Sequence, residues 1–146
     1  MKIVLLLLSL MSTALAHAQS IQPPALSARS WLLIDHASGQ SLVEHEADAR
    51  VEPASLTKLM TAYLTFAALK QGTLKLDQAV TVSERAWKAP GSRMFIDPKH
   101  PVTVGELIQG MIIQSGNDAC IALAEAIAGS EEAFAQRMNL EARRLG

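Results

Sequence analysis

The chain has 146 residues and a mass of 15.7 kDa, enough for one modest domain, and 49% hydrophobic against 18% charged residues allow a packed core. Intrinsic disorder is therefore a poor description, and a net charge of −1 with a pI near 6.4 provides no basic excess for binding nucleic acid. One cysteine excludes an internal disulfide framework, and with four scattered histidines it offers no zinc site of the usual spacing.

Residues 1–18 combine Lys2, an apolar run from Ile3 to Leu8 that resumes at Leu10 and Met11, and Ala16-His17-Ala18, a small-x-small cleavage pattern. They read as a secretory signal peptide, so the protein is expected to be exported and its mature chain, residues 19–146, to begin at Gln19. The rival reading is a membrane anchor. Against it, the apolar run is shorter than the ~20 residues that cross a bilayer, and no stop-transfer pattern follows.

After an extended lead-in containing Pro23-Pro24, Trp31-Leu32-Leu33-Ile34 and Ser41-Leu42-Val43 flank a Ser-Gly turn signal and predict a β-hairpin. A helix is expected from Pro53, with Leu56, Leu59, Met60, Tyr63 and Ala67 as an apolar stripe covering the sheet and Gly72 as its stop. Thr81-Val82 is a candidate short strand, and 89–92 and 97–101 mark a long loop region. Thr103-Val104-Gly105-Glu106 has capping-box spacing and opens a helix through Ile112. Ser115-Gly116-Asn117-Asp118 breaks the pattern before an alanine-rich helix at about 119–128. Ser130-Glu131-Glu132 then opens a last helix ending in Arg143-Arg144-Leu145-Gly146. Cys120, in an apolar helical stretch, reads as a small buried hydrophobe.

Chemistry concentrates in two places. Ser55-Leu56-Thr57-Lys58 sets a hydroxyl and an amine one helical turn apart at a helix start, on one face. An alkyl hydroxyl becomes a useful nucleophile only when a base takes its proton, and a lysine serves when its surroundings favour the free amine. The unpaired N–H groups of the first helical turn add donors for a developing oxyanion. By chance alone, twelve serines and six lysines in 146 residues give roughly half a Ser-x-x-Lys, so placement carries the signal. The second place is Ser115-Gly116-Asn117, at a break between two apolar helices. Its side chains either point into a cleft or simply cap a helix.

With their flanks, Pro53-Ala54-Ser55-Leu56-Thr57-Lys58-Leu59-Met60-Thr61 and Gln114-Ser115-Gly116-Asn117-Asp118-Ala119-Cys120, the two motifs resemble the low-molecular-mass penicillin-binding proteins, specifically the serine D-alanyl-D-alanine carboxypeptidases. The resemblance implies an α/β (α+β) fold of the penicillin-binding-protein and β-lactamase type, helices against an antiparallel sheet, with 19–146 forming the N-terminal part of the catalytic domain. It implies Ser55 as the acylated nucleophile, Lys58 as proton acceptor, Ser115 as proton relay and Asn117 as the amide that holds Lys58 and the substrate backbone. The implied substrate is the peptidoglycan pentapeptide, the implied inhibitors are β-lactams, and the implied location is the periplasm or cell envelope. No cofactor, metal or nucleic acid is expected.

The family's third element, Lys-Thr-Gly on an edge strand, does not occur in these 146 residues; Lys70-Gln71-Gly72 only approaches it, at a helix end. The chain therefore resembles the catalytic domain up to a point before its later strands, without the later domain or the C-terminal amphipathic anchor through which the family meets membranes. As it stands it is expected to be inactive. Two alternatives compete: a class A-like β-lactamase, disfavoured by Gly116 where that family usually carries Asp, and a non-catalytic peptidoglycan- or penicillin-binding module. The related endopeptidases tend to carry other residues in the Ser-x-Asn triplet. His36, His45 and His100 form no metal-binding pattern, and Asp35, Asp97 and Asp118 read as turn and cap residues.

Overall fold

The structure is a computed structural model that describes residues 23–146; the signal segment expected at 1–18 lies outside the described residues. The described residues divide into two units, split between Val51 and Glu52. In the first, β1 (Trp31–Ile34) and β2 (Ser41–His45) form the expected antiparallel hairpin, with Trp31 opposite His45 and Leu33 opposite Val43. Its turn is built by Asp35, whose carboxylate accepts from the Ser38 N–H at 2.8 Å and the Ser38 hydroxyl at 2.6 Å, and by Gly39 at φ +71°.

The second unit runs from a single 3₁₀ turn (Ala54–Leu56) into α1 (Thr57–Lys70), then β3 (Ala79–Val80), α2 (Glu84–Trp87), β4 (Val102–Thr103), α3 (Val104–Ile113), α4 (Asn117–Ala128) and α5 (Glu131–Leu145). Local chemistry explains most boundaries. At φ +72°, Gly72 turns the chain out of α1. The α3 start is a full capping box: Thr103 Oγ1 accepts from the Glu106 N–H, and the Glu106 carboxylate accepts from the Thr103 N–H at 2.8 Å. Gly129, at φ +83°, ends α4 and donates to the Glu125 carbonyl, and Ser130 caps α5 by accepting from the Ala133 N–H at 3.1 Å. Replacing Thr103 by Ala is expected to cost about 1 kcal/mol of stability, because the Glu106 N–H loses its acceptor and the Glu106 carboxylate loses the Thr103 hydroxyl donor. Denaturant unfolding measures it, and an unchanged midpoint would show the cap to be dispensable.

Two expectations are corrected, and one short helix is added. The short strand is Ala79–Val80 and not Thr81-Val82: its antiparallel register pairs Val80 with Val102, and the next pairing would meet Pro101, which has no N–H to donate. A four-residue helix, α2, stands in the stretch before the loop; Ser83 caps it, accepting from the Ala86 N–H at 3.0 Å while its hydroxyl donates to Glu125 at 2.9 Å. On α1 the buried positions are Thr61, Thr65 and Ala68, whereas Leu56 and Leu59 of the expected stripe are 67% and 70% exposed. The threonine and alanine face is the one turned to α4 and α5, where small side chains allow close approach, and Thr65 keeps its hydroxyl satisfied by donating to the Thr61 carbonyl at 2.8 Å.

The core of this unit gathers Val80, Val82 and Val102 from the short strands and their flanks with Val104, Leu107 and Met111 of α3 and Ala119, Ala122 and Leu123 of α4. Leu107, Leu123 and Phe134 are fully buried. Each such side chain contributes roughly 1.5–3 kcal/mol of transfer free energy, which fixes α3 and α4 as the rigid frame beneath the 113–118 break.

Candidate active site

Ser55 lies in the 3₁₀ turn that leads into α1, directly after Ala54, whose φ of +47° is unusual for a residue with a Cβ. Lys58, one turn on, brings Nζ to 3.3 Å from Ser55 Oγ. The break between α3 and α4 supplies the rest. Ser115 adopts φ +54° and its hydroxyl meets Ser55 Oγ at 3.1 Å; Asn117, first residue of α4, turns Oδ1 to within 2.7 Å of Lys58 Nζ. Two non-glycine residues with left-handed backbone, each costing of order 1–3 kcal/mol, thus flank the meeting of the two motifs. All four residues expected from the sequence are brought together: two hydroxyls, an amine and an amide within hydrogen-bond reach of one another.

Burial differs across the cluster in a chemically useful way. Ser55 is exposed, open to an incoming carbonyl, while Lys58, Ser115 and Asn117 are half-buried. Lys58 also lines two largely apolar hollows. One, of about 480 Å³, it shares with Asn117, Cys120 and Phe134; the other, also about 480 Å³, with Ser55, Leu59, Met111 and Ser115. Cys120 is not a nucleophile here: burial pushes its thiol up to about 11, so it is overwhelmingly the unreactive thiol near neutral pH.

Two residues hold the second motif, one that the sequence reading passed over and one to which it gave a smaller role. Pro90 offers its carbonyl to the Asn117 side-chain N–H at 2.7 Å. Asp118, expected as a plain cap, is fully buried and accepts from the N–H groups of Met94, Phe95 and Ile96 as well as from that of Ala119. The local hint was a carboxylate at the second position of an apolar helix; three of its four partners lie more than twenty residues away. Asp35 and Asp97 are turn residues as expected, Asp97 accepting from the Lys99 N–H at 2.9 Å. Lys70-Gln71-Gly72 forms the end of α1, which agrees with its rejection as a substrate-binding motif.

A family model described as D-alanyl-D-alanine carboxypeptidase matches residues 17–146. Among curated proteins, the chain is 49% identical over 140 residues to D-alanyl-D-alanine carboxypeptidase DacC of Escherichia coli K12, covering 92% of this chain and 35% of that protein. Among solved structures, it overlays penicillin-binding protein 5 of Haemophilus influenzae with a TM-score of 0.74 at 41% identity, over 86% of this chain and 38% of the other. It overlays penicillin-binding protein D2 of Listeria monocytogenes, in its ampicillin-bound form, at 0.69 and 31% identity, over 86% and 50%. The chain spans about a third of the length of the curated relatives it matches. These overlays bear out the expected α/β penicillin-binding-protein fold.

Proposed function

Because the chain belongs to the D-alanyl-D-alanine carboxypeptidase family, peptidase family S11, we propose that it carries the acylating residues of a serine carboxypeptidase acting on peptidoglycan stem peptides. Ser55 Oγ attacks the carbonyl carbon of the terminal D-Ala-D-Ala bond as Lys58 accepts its proton. Ser115 relays the proton held by Lys58 to the departing amine, the C–N bond breaks, and D-alanine leaves. The shortened peptide is then an ester on Ser55, which water hydrolyses. Asn117 keeps Lys58 beside the serine through its Oδ1.

One observation carries this reading: Lys58 and Ser115, sixty and fewer residues apart in sequence from Ser55 on different elements, both stand within 3.3 Å of its Oγ. A base and a relay converging on an exposed hydroxyl are what acyl transfer requires. β-Lactams fit the same chemistry, since their amide opens on the serine while the amine stays tethered and blocks departure. In this reading residues 1–18 are a signal peptide, 19–146 are the N-terminal part of the catalytic domain, and the protein works in the periplasm or cell envelope on the cell wall.

The test is covalent labelling. The complete gene product treated with a fluorescent penicillin is expected to keep the label through boiling in detergent, with the adduct on Ser55 by mass spectrometry and none in Ser55→Ala. A label removed by boiling would favour a binding module, and an adduct on another residue would remove Ser55 from the role.

A further inference from the structure

We infer that Asp118 is a positioning residue for the acylation step, acting through a strap, residues 90–96, that sets the orientation of the Asn117 amide beside Lys58. The inference rests on the acylating role proposed above and adds a residue outside the two motifs.

Asp118 has no exposed surface, and its carboxylate is fully engaged. Oδ1 accepts from the N–H of Met94 at 3.0 Å and of Ala119 at 2.9 Å; Oδ2 accepts from Phe95 at 2.8 Å and Ile96 at 3.2 Å. Three successive N–H groups aimed at one carboxylate bend the backbone, and Phe95 sits at φ +65°. A bulky residue stays in that region only when its surroundings impose it. Here the imposing group is a buried carboxylate on the first turn of α4, and its charge-assisted bonds anchor the end of the strap to the helix that begins with Asn117.

The beginning of the strap then acts on Asn117 itself. The Ser92 carbonyl accepts the Asn117 backbone N–H at 2.7 Å, and the Pro90 carbonyl accepts the Asn117 side-chain N–H at 2.7 Å. A carbonyl accepts only from the amino end of an amide. Pro90 therefore selects the rotamer that presents Oδ1 to Lys58, at 2.7 Å; the flipped amide would set N–H donors against the lysine's own. Space is as tight as the bonding. A Cβ at Gly91, which has φ +81°, would come within 2.8 Å of Asn117 Nδ2, and a Cβ at Gly116 within 2.9 Å of Asp118 Oδ1 and 3.2 Å of the Met94 nitrogen. The glycine between Ser115 and Asn117 is thus needed for the strap to lie down.

Asp118→Asn keeps the shape but turns an N–H donor toward the strap's N–H groups. In the complete gene product it is expected to slow acylation by a fluorescent penicillin about 10- to 100-fold, since a misplacement of order 1 Å costs up to about 10²-fold. The deciding readout is coupling. In an Asn117→Ala background the same change should cost no more than about twofold, because the group it acts through is gone; a purely structural role would slow both backgrounds by the same factor. Gly91→Ala perturbs the same amide from the strap side, is expected to behave likewise, and carries the test by itself if Asp118→Asn does not fold by circular dichroism. Additive losses, or acylation within about twofold of the parent in a folded variant, would overturn the inference while leaving Ser55 acylation intact. A parent that takes up no penicillin would instead remove the acylating reading, and this inference with it.

Discussion

Replacing Lys58 by Arg is expected to lower the rate of acylation by roughly 10²–10⁴-fold, the usual cost of losing a general base. The substitution keeps a cation in reach of Asn117 Oδ1 and so retains much of the electrostatics of the 2.7 Å contact. What it removes is proton acceptance, because a guanidinium does not give up its proton under any condition in which the protein is folded. Lysine and arginine thus separate two roles for the side chain: a structural cation tolerates the change, and a base does not. The losses from Ser115→Ala and Asn117→Ala should be large as well but should not add to that of Lys58→Ala, since the three groups act on one proton-transfer event. Stopped-flow measurement of penicillin acylation reads this directly, and near-parental acylation in Lys58→Arg would exclude the base role.

A polypeptide of residues 19–146 is expected to release no measurable D-alanine from a D-Ala-D-Ala peptide, although it contains Ser55, Lys58, Ser115 and Asn117. In the proposed function these residues supply a nucleophile, a base, a relay and an amide, but residues 19–146 hold no Lys-Thr-Gly, the element that the family resemblance assigns to the substrate's terminal carboxylate. Positioning a reacting carbonyl contributes several kcal/mol to a barrier, and an unheld peptide forfeits it. Packing points the same way. Leu56, Leu59, Tyr63 and Phe66 on the α1 side and Ile112 and Ile113 on α3 are all exposed. At about 25 cal/mol per Å² of apolar surface left in water, such faces favour association over a well-packed monomer. Calorimetry and a D-alanine release assay check both halves. A cooperative melt together with turnover comparable to a full-length relative would show the four residues sufficient.

What the sequence determined by itself is everything whose cause lies within about one helical turn. The Asp35–Ser38 turn that closes the hairpin at 31–45, the capping box at Thr103 and Glu106, the Gly72 and Gly129 stops and the Ser130 cap all follow from contacts between residues no more than a few positions apart. The pairing of Ser55 with Lys58 is of the same kind, three residues apart on one helical face. Its two motifs, with their flanks, also identified the family. Tertiary structure decided whatever joins distant parts of the chain. Ser115 meets Ser55 across sixty positions and Asn117 meets Lys58 across fifty-nine, an approach fixed by α1 lying against α4 through Thr61, Thr65 and small neighbours. The exposed Leu56 and Leu59, the strand shifted to Ala79–Val80 by Pro101, and the burial of Asp118 under the 94–96 backbone were not legible for the same reason. Hydrophobic periodicity reports that a face is apolar, and a carboxylate near a helix start reports that it will find N–H donors. Which surface covers that face, and whose N–H groups those are, depends on partners that no local pattern encodes.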